Sequence, residues 1–343
     1  MALLDMLLSE WPAPPNKHLQ NLHVLLNPVS GAGEAPSYFS NALEPFLSRH
    51  AIPYVLQRTT SATSTSAFAS TLKTPATIII LSGDGTLHEL LSGLSPKAEI
   101  TFIPIPHGTA NAPYHFLFRT STPLASLASI YSSKPRLLPL AQVALNDKTI
   151  LAHVVVSTAL HASILFDSDK LRESTPGIER FKKAAEQNWG SEYPGRAVLK
   201  DAKKYIPGRG FVECDGEQEG PWSYLNACLT DRLEEKFVVA TKRGEAEAGS
   251  IDVVGIRRKG RESKTFFEQM VKVFAEMYDE GKHVDLVWDG EGMRAWQQGD
   301  VPDQLVVDYW RCSGLDWTPV SGRIRRLIHL IFSSRAALMS ALD

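Results

Sequence analysis

One acidic residue stands where a polypeptide chain usually binds an anion. Asp84 lies between Gly83 and Gly85, after the apolar run 77–81 and before a segment, 87–94, with leucines at helical spacing. A buried strand, a glycine-bracketed turn and a helix start bring free backbone amides and a helix dipole to one point, which suits a phosphate. A carboxylate there would repel a phosphate, unless it accepts a proton during group transfer or binds a metal that the phosphate shares. The stretch therefore suggests phosphoryl transfer.

Two further glycine-bearing turns also follow predicted strands. The strand predicted at 23–26 ends in Asn-Pro-Val-Ser-Gly-Ala-Gly at 27–33, and the strand at 101–105 ends in Pro-His-Gly-Thr-Ala-Asn at 106–111. The carboxyl ends of parallel strands share one edge of a sheet, and open α/β folds bind ligands there. We therefore expect the three turns to gather at one edge.

The intervening segments complete an α/β pattern. A helix is predicted from 35 to about 50, with a kink or an early end at Pro45. A strand is predicted at 53–57, and residues 59–71 favour either a linker or a polar-surfaced helix. A helix from about 123 to 132 closes the unit. Strands alternating with helices predict a mostly parallel three-layer α/β domain.

The pattern becomes richer in strands after residue 135. Strands at 137–145 and 150–158 form a predicted hairpin, and helices are predicted at 178–189 and from 263 to 281. The later strand candidates are 210–214, 237–241, 251–256, 284–288 and 305–312. Many strands with few helices predict a C-terminal antiparallel β-sandwich domain behind the N-terminal α/β domain.

Composition narrows the function classes. The chain has 343 residues, which suggests two domains, and a net charge of -2, which argues against nucleic acid as a partner. The three cysteines are far apart in sequence, so no disulfide framework or zinc site is predicted. The first ten residues make a poor signal peptide, and no apolar run reaches the roughly 18–20 residues that span a bilayer. We expect a cytoplasmic protein whose membrane contact is peripheral.

The three turn sequences together resemble a known family. Residues 27–33, 82–94 and 106–111 are similar to the motifs of the diacylglycerol and sphingosine kinase catalytic domain. Ser82 before Gly-Asp-Gly, the His-Glu pair after it, and the segment 167–181 resemble the sphingosine kinase branch. The resemblance covers about residues 22–256. Gly-Asp-Gly-Thr alone is weak, because NAD kinases and phosphofructokinases share it.

The resemblance implies an ATP- and Mg²⁺-dependent lipid kinase with a lipid acceptor. Asp84 would activate the lipid hydroxyl and help to place Mg²⁺. The residues implied in ATP binding are Asn27, Ser30, Gly31, Gly33, Ser82, Gly83, Gly85, Thr86, Glu89, Gly108, Thr109, Asn111, Arg172 and Arg180. The resemblance implies an ATP-binding catalytic domain at 21–136 and a lipid-binding β-sandwich at 137–320. From the sequence itself we expect an N-terminal extension at 1–20 and a basic tail at 321–343.

Several of these residues also have plain structural interpretations. Thr86 and Glu89 fit a capping box at a helix start. Arg172 and Arg180 fit a solvated helix face. Each glycine fits a tight turn without any ligand.

The sequence also departs from the family pattern. The family has glycine at the position of Ala110, which matters if that residue needs a positive φ. Ser163 and Leu165 stand where the family shows two aspartates, and Asp167 or Asp169 could substitute for them only if the segment is shifted. The basic, apolar tail predicts an amphipathic helix on a membrane surface, where the family has a strand that returns to the nucleotide site.

The leading hypothesis is transfer of the γ-phosphate of ATP to a hydroxyl of a sphingoid base or a diacylglycerol-like lipid. The main alternative is a non-catalytic relative that binds nucleotide or lipid without turnover. A second alternative is an NAD kinase, which rests on the Gly-Asp-Gly-Thr string alone.

Overall fold

The chain folds into two compact units. The computed structural model describes residues 19, 21–61, 63–131, 135–145, 148–175, 177, 179–245, 249–258, 263–320, 326–328 and 336–339. One unit comprises Met1–Pro139 together with Ser333–Asp343, and the other comprises Leu140–Phe332. The predicted extension at 1–20, apart from Leu19, lies outside the described residues.

The secondary structure is numbered in chain order. The strands are β1 (Leu22–Leu26), β2 (Val55–Arg58), β3 (Ala76–Ser82), β4 (Ile100–Pro106), β5 (Pro135–Leu137), β6 (Ala141–Leu145), β7 (Lys148–Ala152), β8 (Val155–Thr158), β9 (Gly195–Lys200), β10 (Lys203–Ile206), β11 (Gly210–Glu213), β12 (Glu217–Glu219), β13 (Trp222–Cys228), β14 (Ile251–Arg257), β15 (Leu286–Trp288), β16 (Met293–Ala295), β17 (Val307–Cys312), β18 (Gly314–Pro319), β19 (Arg326–Ile328) and β20 (Ala336–Met339). The α-helices are α1 (Ala35–Tyr38), α2 (Glu44–Arg49), α3 (Ser64–Thr71), α4 (Asp84–Gly93), α5 (Ala112–Phe118), α6 (Leu124–Ser129), α7 (Ala159–Lys170), α8 (Glu179–Asn188) and α9 (Ser263–Tyr278).

The first unit is built on a six-stranded sheet with the order β2-β1-β3-β4-β20-β5. Strands β1 to β4 and β20 run parallel, and β5 runs antiparallel to β20. Leu26 pairs with Leu81, and Leu81 pairs with Ile105, so the carboxyl ends of β1, β3 and β4 lie side by side. The predicted parallel α/β domain is confirmed.

The apolar pattern explains this layering. Every residue of β3 is buried, as expected for a strand covered on both faces. One face packs against the helical stretch 35–49, whose Phe39, Leu43, Phe46 and Leu47 are all buried as predicted. Burying each of these side chains contributes roughly 1.5–3 kcal/mol.

Pro45 neither ends nor breaks this helical stretch. A π-helical turn at Phe39–Leu43 joins α1 to α2, and the backbone N–H of Glu44 donates to the carbonyl of Phe39. Pro45 lies in the first turn of α2. Because proline has no N–H to donate, the ladder of hydrogen bonds changes register just before it.

The second unit contains two six-stranded sheets that are antiparallel throughout. Their orders are β11-β10-β17-β14-β13-β8 and β12-β9-β18-β19-β6-β7. Side chains from both sheets, including Trp222, Trp310 and Trp317, share one buried cluster. Helix α9 packs on the other face of the first of these sheets through Phe266, Met270 and their neighbours. The predicted antiparallel C-terminal fold is confirmed.

Some predicted elements differ from the structure. Residues 237–241 are not a strand but an irregular segment with an isolated bridge between Arg232 and Val238. The predicted hairpin is split: β7 pairs with β6, whereas β8 pairs with β13 in the other sheet. Helix α3 shows that the polar-surfaced helix was the right choice for 59–71.

The prediction of an amphipathic helix in the tail is wrong. The described parts of 321–343 are the strands β19 and β20. β19 pairs with β18 and β6, and β20 lies between β4 and β5. Both segments are short, and β6, β4 and β5, with which they pair, lie far away in sequence, so helical periodicity within the tail was a misleading guide. The chain does have a strand that returns to the first unit.

Within the described part of the chain, no helix combines the length and the apolar character required to span a bilayer.

Candidate active site

Asp84 is the first residue of α4 and directly follows β3. Gly83 caps the helix in an extended conformation, with φ −108° and ψ −172°. Oδ2 of Asp84 accepts a hydrogen bond of 3.2 Å from the backbone N–H of Ala112, at the start of α5. The side chain keeps some solvent exposure but is closely surrounded by protein atoms. Two helix N-termini therefore hold this carboxylate at the carboxyl edge of the sheet.

The surroundings of Asp84 tune its proton affinity. Burial raises the pKa of Asp84 from its ordinary 3.8 to about 6, although the backbone N–H groups of Ala112 and Asn111 act in the opposite direction. The carboxylate is thus mainly ionised at neutral pH, yet it holds a proton more readily than an exposed aspartate. This combination suits a general base.

The structure brings the three predicted turns into contact. A Cβ atom on Gly31 would lie 2.6 Å from the carbonyl oxygen of His107, and one on Gly83 would lie 2.7 Å from Cα of Gly108. A Cβ on Gly108 would lie 2.3 Å from Cα of Gly83. Gly31 also has a φ of +56°, which favours glycine. Only glycine allows the three backbones to approach this closely.

Polar side chains tie the first turn to the second. Nδ2 of Asn27 donates to Oγ1 of Thr86 at 3.0 Å, and Oγ1 of Thr86 lies 2.6 Å from Oγ of Ser82. Oδ1 of Asn27 accepts from the backbone N–H of Val29 at 3.2 Å. Ser82 and Thr86 are buried, so this network is shielded from water.

The third turn is closed by Asn111. Its Oδ1 accepts from the backbone N–H of Gly108 at 2.8 Å, and its Nδ2 donates to the carbonyl of Gly108 at 2.9 Å. Asn111 has the left-handed backbone conformation, with φ +54°, whereas Ala110 is not among the residues with positive φ. The departure at Ala110 therefore carries no backbone strain.

The remaining residues of the turns are distributed around this contact. Gly33 has φ +76° and donates its N–H to the carbonyl of Ser30 at 2.9 Å. Gly85 lies in the first turn of α4, and no atom lies within 4 Å of a Cβ built on it. Thr109 is exposed in the third turn. Gly85 thus faces open space beside Asp84.

The capping-box interpretation of Glu89 is wrong. The N-cap of α4 is Gly83, so Thr86 lies inside the helix and its hydroxyl is bonded to Asn27 and Ser82 instead. Glu89 is partly exposed one turn further along.

Asp84 also borders a small cavity of about 20 Å³. Its walls come from β3, α4, β4 and α5, and they are mostly apolar: Ile80, Leu87, Pro104, Ile105, Pro113 and Tyr114. These side chains explain why the carboxylate is poorly solvated.

The donor set fits a magnesium ion that the nucleotide itself carries. Among the described residues, no group of three histidine, cysteine, aspartate or glutamate side chains could hold a metal alone. Mg²⁺ in phosphate-transfer sites commonly takes one or two carboxylates, waters and substrate phosphates. Asp84 would be the carboxylate of such a site.

The predicted phosphate-binding arginines lie in the second unit. Arg172 donates to Oδ1 of Asp169 through Nε at 2.9 Å and Nη2 at 2.7 Å. The guanidinium of Arg180 lies 4.6 Å from the ring centre of Phe181, and its Nε is buried without a hydrogen-bond partner. Burial, followed by the charge of Arg172, lowers the pKa of Arg180. The charge of Asp169 acts on the pKa of Arg180 in the opposite direction.

The predicted acceptor segment lies on α7. Ser163 is partly buried and Leu165 is exposed. Asp167 accepts from Nζ of Lys170 at 2.7 Å and from Nδ2 of Asn188 at 2.8 Å, which links α7 to α8. Asp169 is the partner of Arg172, so both aspartates of α7 already have partners within the protein.

One functional element was not predicted from the sequence. Helix α5 supplies the amide that holds Asp84, and its start at Ala112-Pro113 carries a usable signal, because proline is favoured in the first helical turn.

Comparison with known proteins shows what the segment that contains these turns resembles. Residues 21–143 match the family model described as the diacylglycerol kinase catalytic domain. Over this segment the chain is similar to diacylglycerol kinase catalytic domains. Asp84 and the three turns all lie within it.

The chain is also similar to two known kinases. Mitochondrial acylglycerol kinases of Mus musculus and Homo sapiens are each 30% identical to this chain over 96 residues. That match spans 28% of this chain and 23% of the relatives' length, or about a quarter. These relatives are acylglycerol kinases, so the resemblance to the sphingosine kinase branch stays a prediction.

Solved structures support the fold of the whole chain. Two crystal structures of diacylglycerol kinases from Bacillus anthracis str. Sterne, one titled putative, superpose with TM-scores of 0.60 and 0.57. Their identities are 14% and 13%, and each match covers 94% of this chain and 97% of the other. At such low identity the likeness concerns the fold alone.

Proposed function

We propose that this protein is an ATP-dependent lipid kinase. The observation that carries the proposal is the position of Asp84, a carboxylate with raised pKa held where three glycine-bearing turns meet. A phosphate can approach the free amides at the start of α4, and an acceptor hydroxyl can lose its proton to Asp84.

The transfer step uses few protein groups. The acceptor hydroxyl oxygen forms a bond to the γ-phosphorus while the bond from that phosphorus to the β–γ bridging oxygen breaks, which leaves ADP. The proton of the hydroxyl passes to the Asp84 carboxylate. A positioned base of this kind contributes roughly 10²–10⁴-fold in rate. Mg²⁺ bound with the nucleotide, and held by Asp84, would offset phosphate charge.

The arginines are assigned on the family resemblance. By that resemblance, Arg172 and Arg180 would supply positive charge to the phosphates of ATP. Charge of this kind stabilises the transition state more than the bound substrate. Arg180→Met should therefore lower kcat by more than it raises KM for ATP.

For the acceptor, we propose an uncharged lipid alcohol of the acylglycerol type rather than a sphingoid base. The ammonium group of a sphingoid base needs a carboxylate partner. Ser163 and Leu165 offer none, and Asp167 and Asp169 are already paired. The similarity of a part of this chain to acylglycerol kinases points in the same direction. Because such lipids reside in bilayers, we also propose a cytoplasmic protein that associates peripherally with membranes.

The alternatives have less support. A non-catalytic relative was suggested by Ala110, by the tail and by the missing acceptor carboxylates. Ala110 is unstrained and the tail contains a strand that joins the catalytic sheet, so two of these three reasons no longer hold. None of the observations favours an NAD kinase.

The test is a transfer assay with purified full-length protein. Labelled ATP, Mg²⁺ and vesicles containing monoacylglycerol, diacylglycerol, ceramide or sphingosine are incubated with wild type, Asp84→Asn and Asp289→Asn. Asp289 is an exposed turn aspartate and serves as the matched control. We expect transfer to an acylglycerol that only Asp84→Asn abolishes.

The other outcomes separate the hypotheses. Preference for sphingosine would contradict the proposed acceptor but not the kinase. ATP binding by calorimetry with no transfer to any lipid would favour the non-catalytic relative, and labelled NADP from added NAD would favour the NAD kinase.

A further inference from the structure

We infer that Asn27 and Asn111, the asparagines of the first and third turns, are positioning residues that fix the turns before nucleotide arrives. The family resemblance had placed both among the ATP-binding residues. The kinetic part of this inference rests on the proposed kinase function, whereas its structural part does not.

Asn111 acts at three points of the site. Its side chain closes the loop onto both backbone groups of Gly108, at 2.8 and 2.9 Å. Its own carbonyl accepts from the N–H of His115 at 3.0 Å and so starts α5. The next amide, that of Ala112, holds Asp84. One residue thus sets the third turn, the helix start and the direction from which the catalytic carboxylate is held.

The two hydrogen bonds between the side chain of Asn111 and Gly108, here called a clamp, also fix the contact between the second and third turns. Gly108 packs against Gly83 so closely that neither could carry a Cβ without a shift. Oδ1 of Asn111 itself lies 2.9 Å from where a Cβ of Gly108 would be. If the side chain of Asn111 were lost, nothing in the loop would replace the two bonds to Gly108, and the glycine contact would loosen.

Asn27 fixes the first turn in a similar way. Its Oδ1 holds the N–H of Val29, and its Nδ2 reaches Thr86 of α4 at 3.0 Å. Its backbone N–H donates to the carbonyl of Leu81 at 3.2 Å. The first turn is therefore fastened to both the strand and the helix that flank Asp84.

The side-chain amides of Asn27 and Asn111 make these bonds to other protein groups. Each uses its oxygen and its nitrogen within the protein, so recognition of the phosphates is left chiefly to the backbone amides of the turns. A site that is preorganised in this way loses less conformational entropy when the ligand binds, and it holds the reacting groups in the productive geometry.

The inference predicts a particular kinetic signature. Removing a clamp should misplace Asp84 and the glycine contact, so kcat should fall at least about tenfold, whereas KM for ATP should change less than about threefold. Loss of a direct nucleotide ligand would instead raise KM for ATP.

The experiment compares Asn111→Gly, Asn111→Asp and Asn27→Ala with wild type. Glycine keeps the left-handed backbone of Asn111 and removes only the side chain. Aspartate keeps the acceptor for the N–H of Gly108 and guards against a variant that fails to fold. The matched control is Asn21→Gly, since Asn21 also has positive φ (+48°) and donates Nδ2 to a backbone carbonyl, that of Lys73.

The first readout is hydrogen–deuterium exchange of the nucleotide-free protein. The peptide with Gly108 should exchange at least about tenfold faster in Asn111→Gly and near the wild-type rate in Asn111→Asp, and the peptide with Val29 should exchange faster in Asn27→Ala. Asn21→Gly should change the exchange of neither peptide. Unchanged exchange in both clamp variants would overturn the inference even if the protein proved inactive.

The second readout is the split between kcat and KM. In Asn111→Gly, an increase in KM for ATP with kcat unchanged would show direct phosphate contact and overturn the inference. An increase in KM for ATP that is much larger in Asn111→Asp than in Asn111→Gly would do the same. A wild-type protein without kinase activity would refute the proposed function alone, because the exchange results would still decide the role of the clamps.

Discussion

Replacing Asp84 by asparagine should stabilise the folded protein at neutral pH while it abolishes transfer. The pKa of Asp84 is raised from 3.8 to about 6 by burial, so the folded state prefers the protonated acid. The stabilisation from that proton is complete below about pH 3.8 and is lost as the pH rises through about 6. At neutral pH the protein therefore holds an ionised carboxylate at a cost in stability.

The size of that cost follows from the pKa difference. Each pKa unit corresponds to about 1.4 kcal/mol, so a rise of about two units sets an upper value of about 3 kcal/mol. Because Asp84 keeps some exposure to solvent, we expect about 1–3 kcal/mol. Asparagine has nearly the same shape, and its Oδ1 can still accept from the N–H of Ala112.

The assay is urea unfolding followed by far-ultraviolet circular dichroism at pH 8 and pH 4.5. Asp84→Asn should exceed wild type by about 1–3 kcal/mol at pH 8 and should lose most of that advantage at pH 4.5. The control is Asp289→Asn, because backbone N–H groups of Gly292 and Glu291 lower the pKa of Asp289. That variant should be destabilised at pH 8, with the penalty fading as the pH falls.

Two results would refute this reasoning. One is an Asp84→Asn protein that is no more stable than wild type at pH 8. The other is a gain of equal size at both pH values, because a gain that does not depend on pH cannot come from the charge of the carboxylate.

Three further predictions concern the site and the second unit. The value of kcat/KM should fall below about pH 6 as Asp84 takes up a proton, and a pH–rate profile that is flat down to pH 4.5 would contradict its role as base. Gly83→Ala should destabilise the protein and abolish transfer, because its Cβ would meet backbone at 2.7 Å, whereas Gly85→Ala, which meets nothing within 4 Å, should keep wild-type stability in thermal denaturation. Ala159→Gly should leave the free energy of unfolding unchanged or raise it by up to about 1 kcal/mol, because Ala159 has φ +56°. Ala162→Gly, inside the same helix, should lower the free energy of unfolding by about 1 kcal/mol, as measured by urea unfolding.

The sequence predicted the catalytic edge well because its signals are local. The apolar run 77–81, the glycines around Asp84 and the leucines of α4 each act within a few residues, and parallel pairing then brings the turns together. The buried face of the helical stretch 35–49 was predicted for the same reason, since four apolar residues share one helical face.

The elements that escaped prediction depend on distant partners. β13 is completely buried in the middle of its sheet, yet its sequence, Trp-Ser-Tyr-Leu-Asn-Ala-Cys, has no continuous apolar run. The polar residue Asn226 is tolerated there because its Nδ2 donates to the hydroxyl of Tyr224 at 2.7 Å. Helix α7 was missed because its exposed Leu165 and Phe166 disturb the amphipathic pattern.

The finer geometry of the site also lay beyond the sequence. The sequence comparison suggested that Ala110 could need a positive φ. In the structure the positive φ is at Asn111, and asparagine adopts the left-handed conformation at low cost. Sequence reasoning assigned Thr86 to a helix cap, whereas the cap is Gly83. In both cases the shift is one to three residues, which only the backbone conformation reveals.

The position of β20 has a consequence for how this protein can be made. The segment 21–143 supplies the catalytic turns, but the strand between β4 and β5 of its sheet comes from Ala336–Met339. A ribosome must therefore translate nearly the whole chain before the first sheet is complete, and until then the edge of β4 is open to other strands. The catalytic segment expressed alone would carry that open edge permanently, so a fragment with the complete sheet must extend at least to Met339.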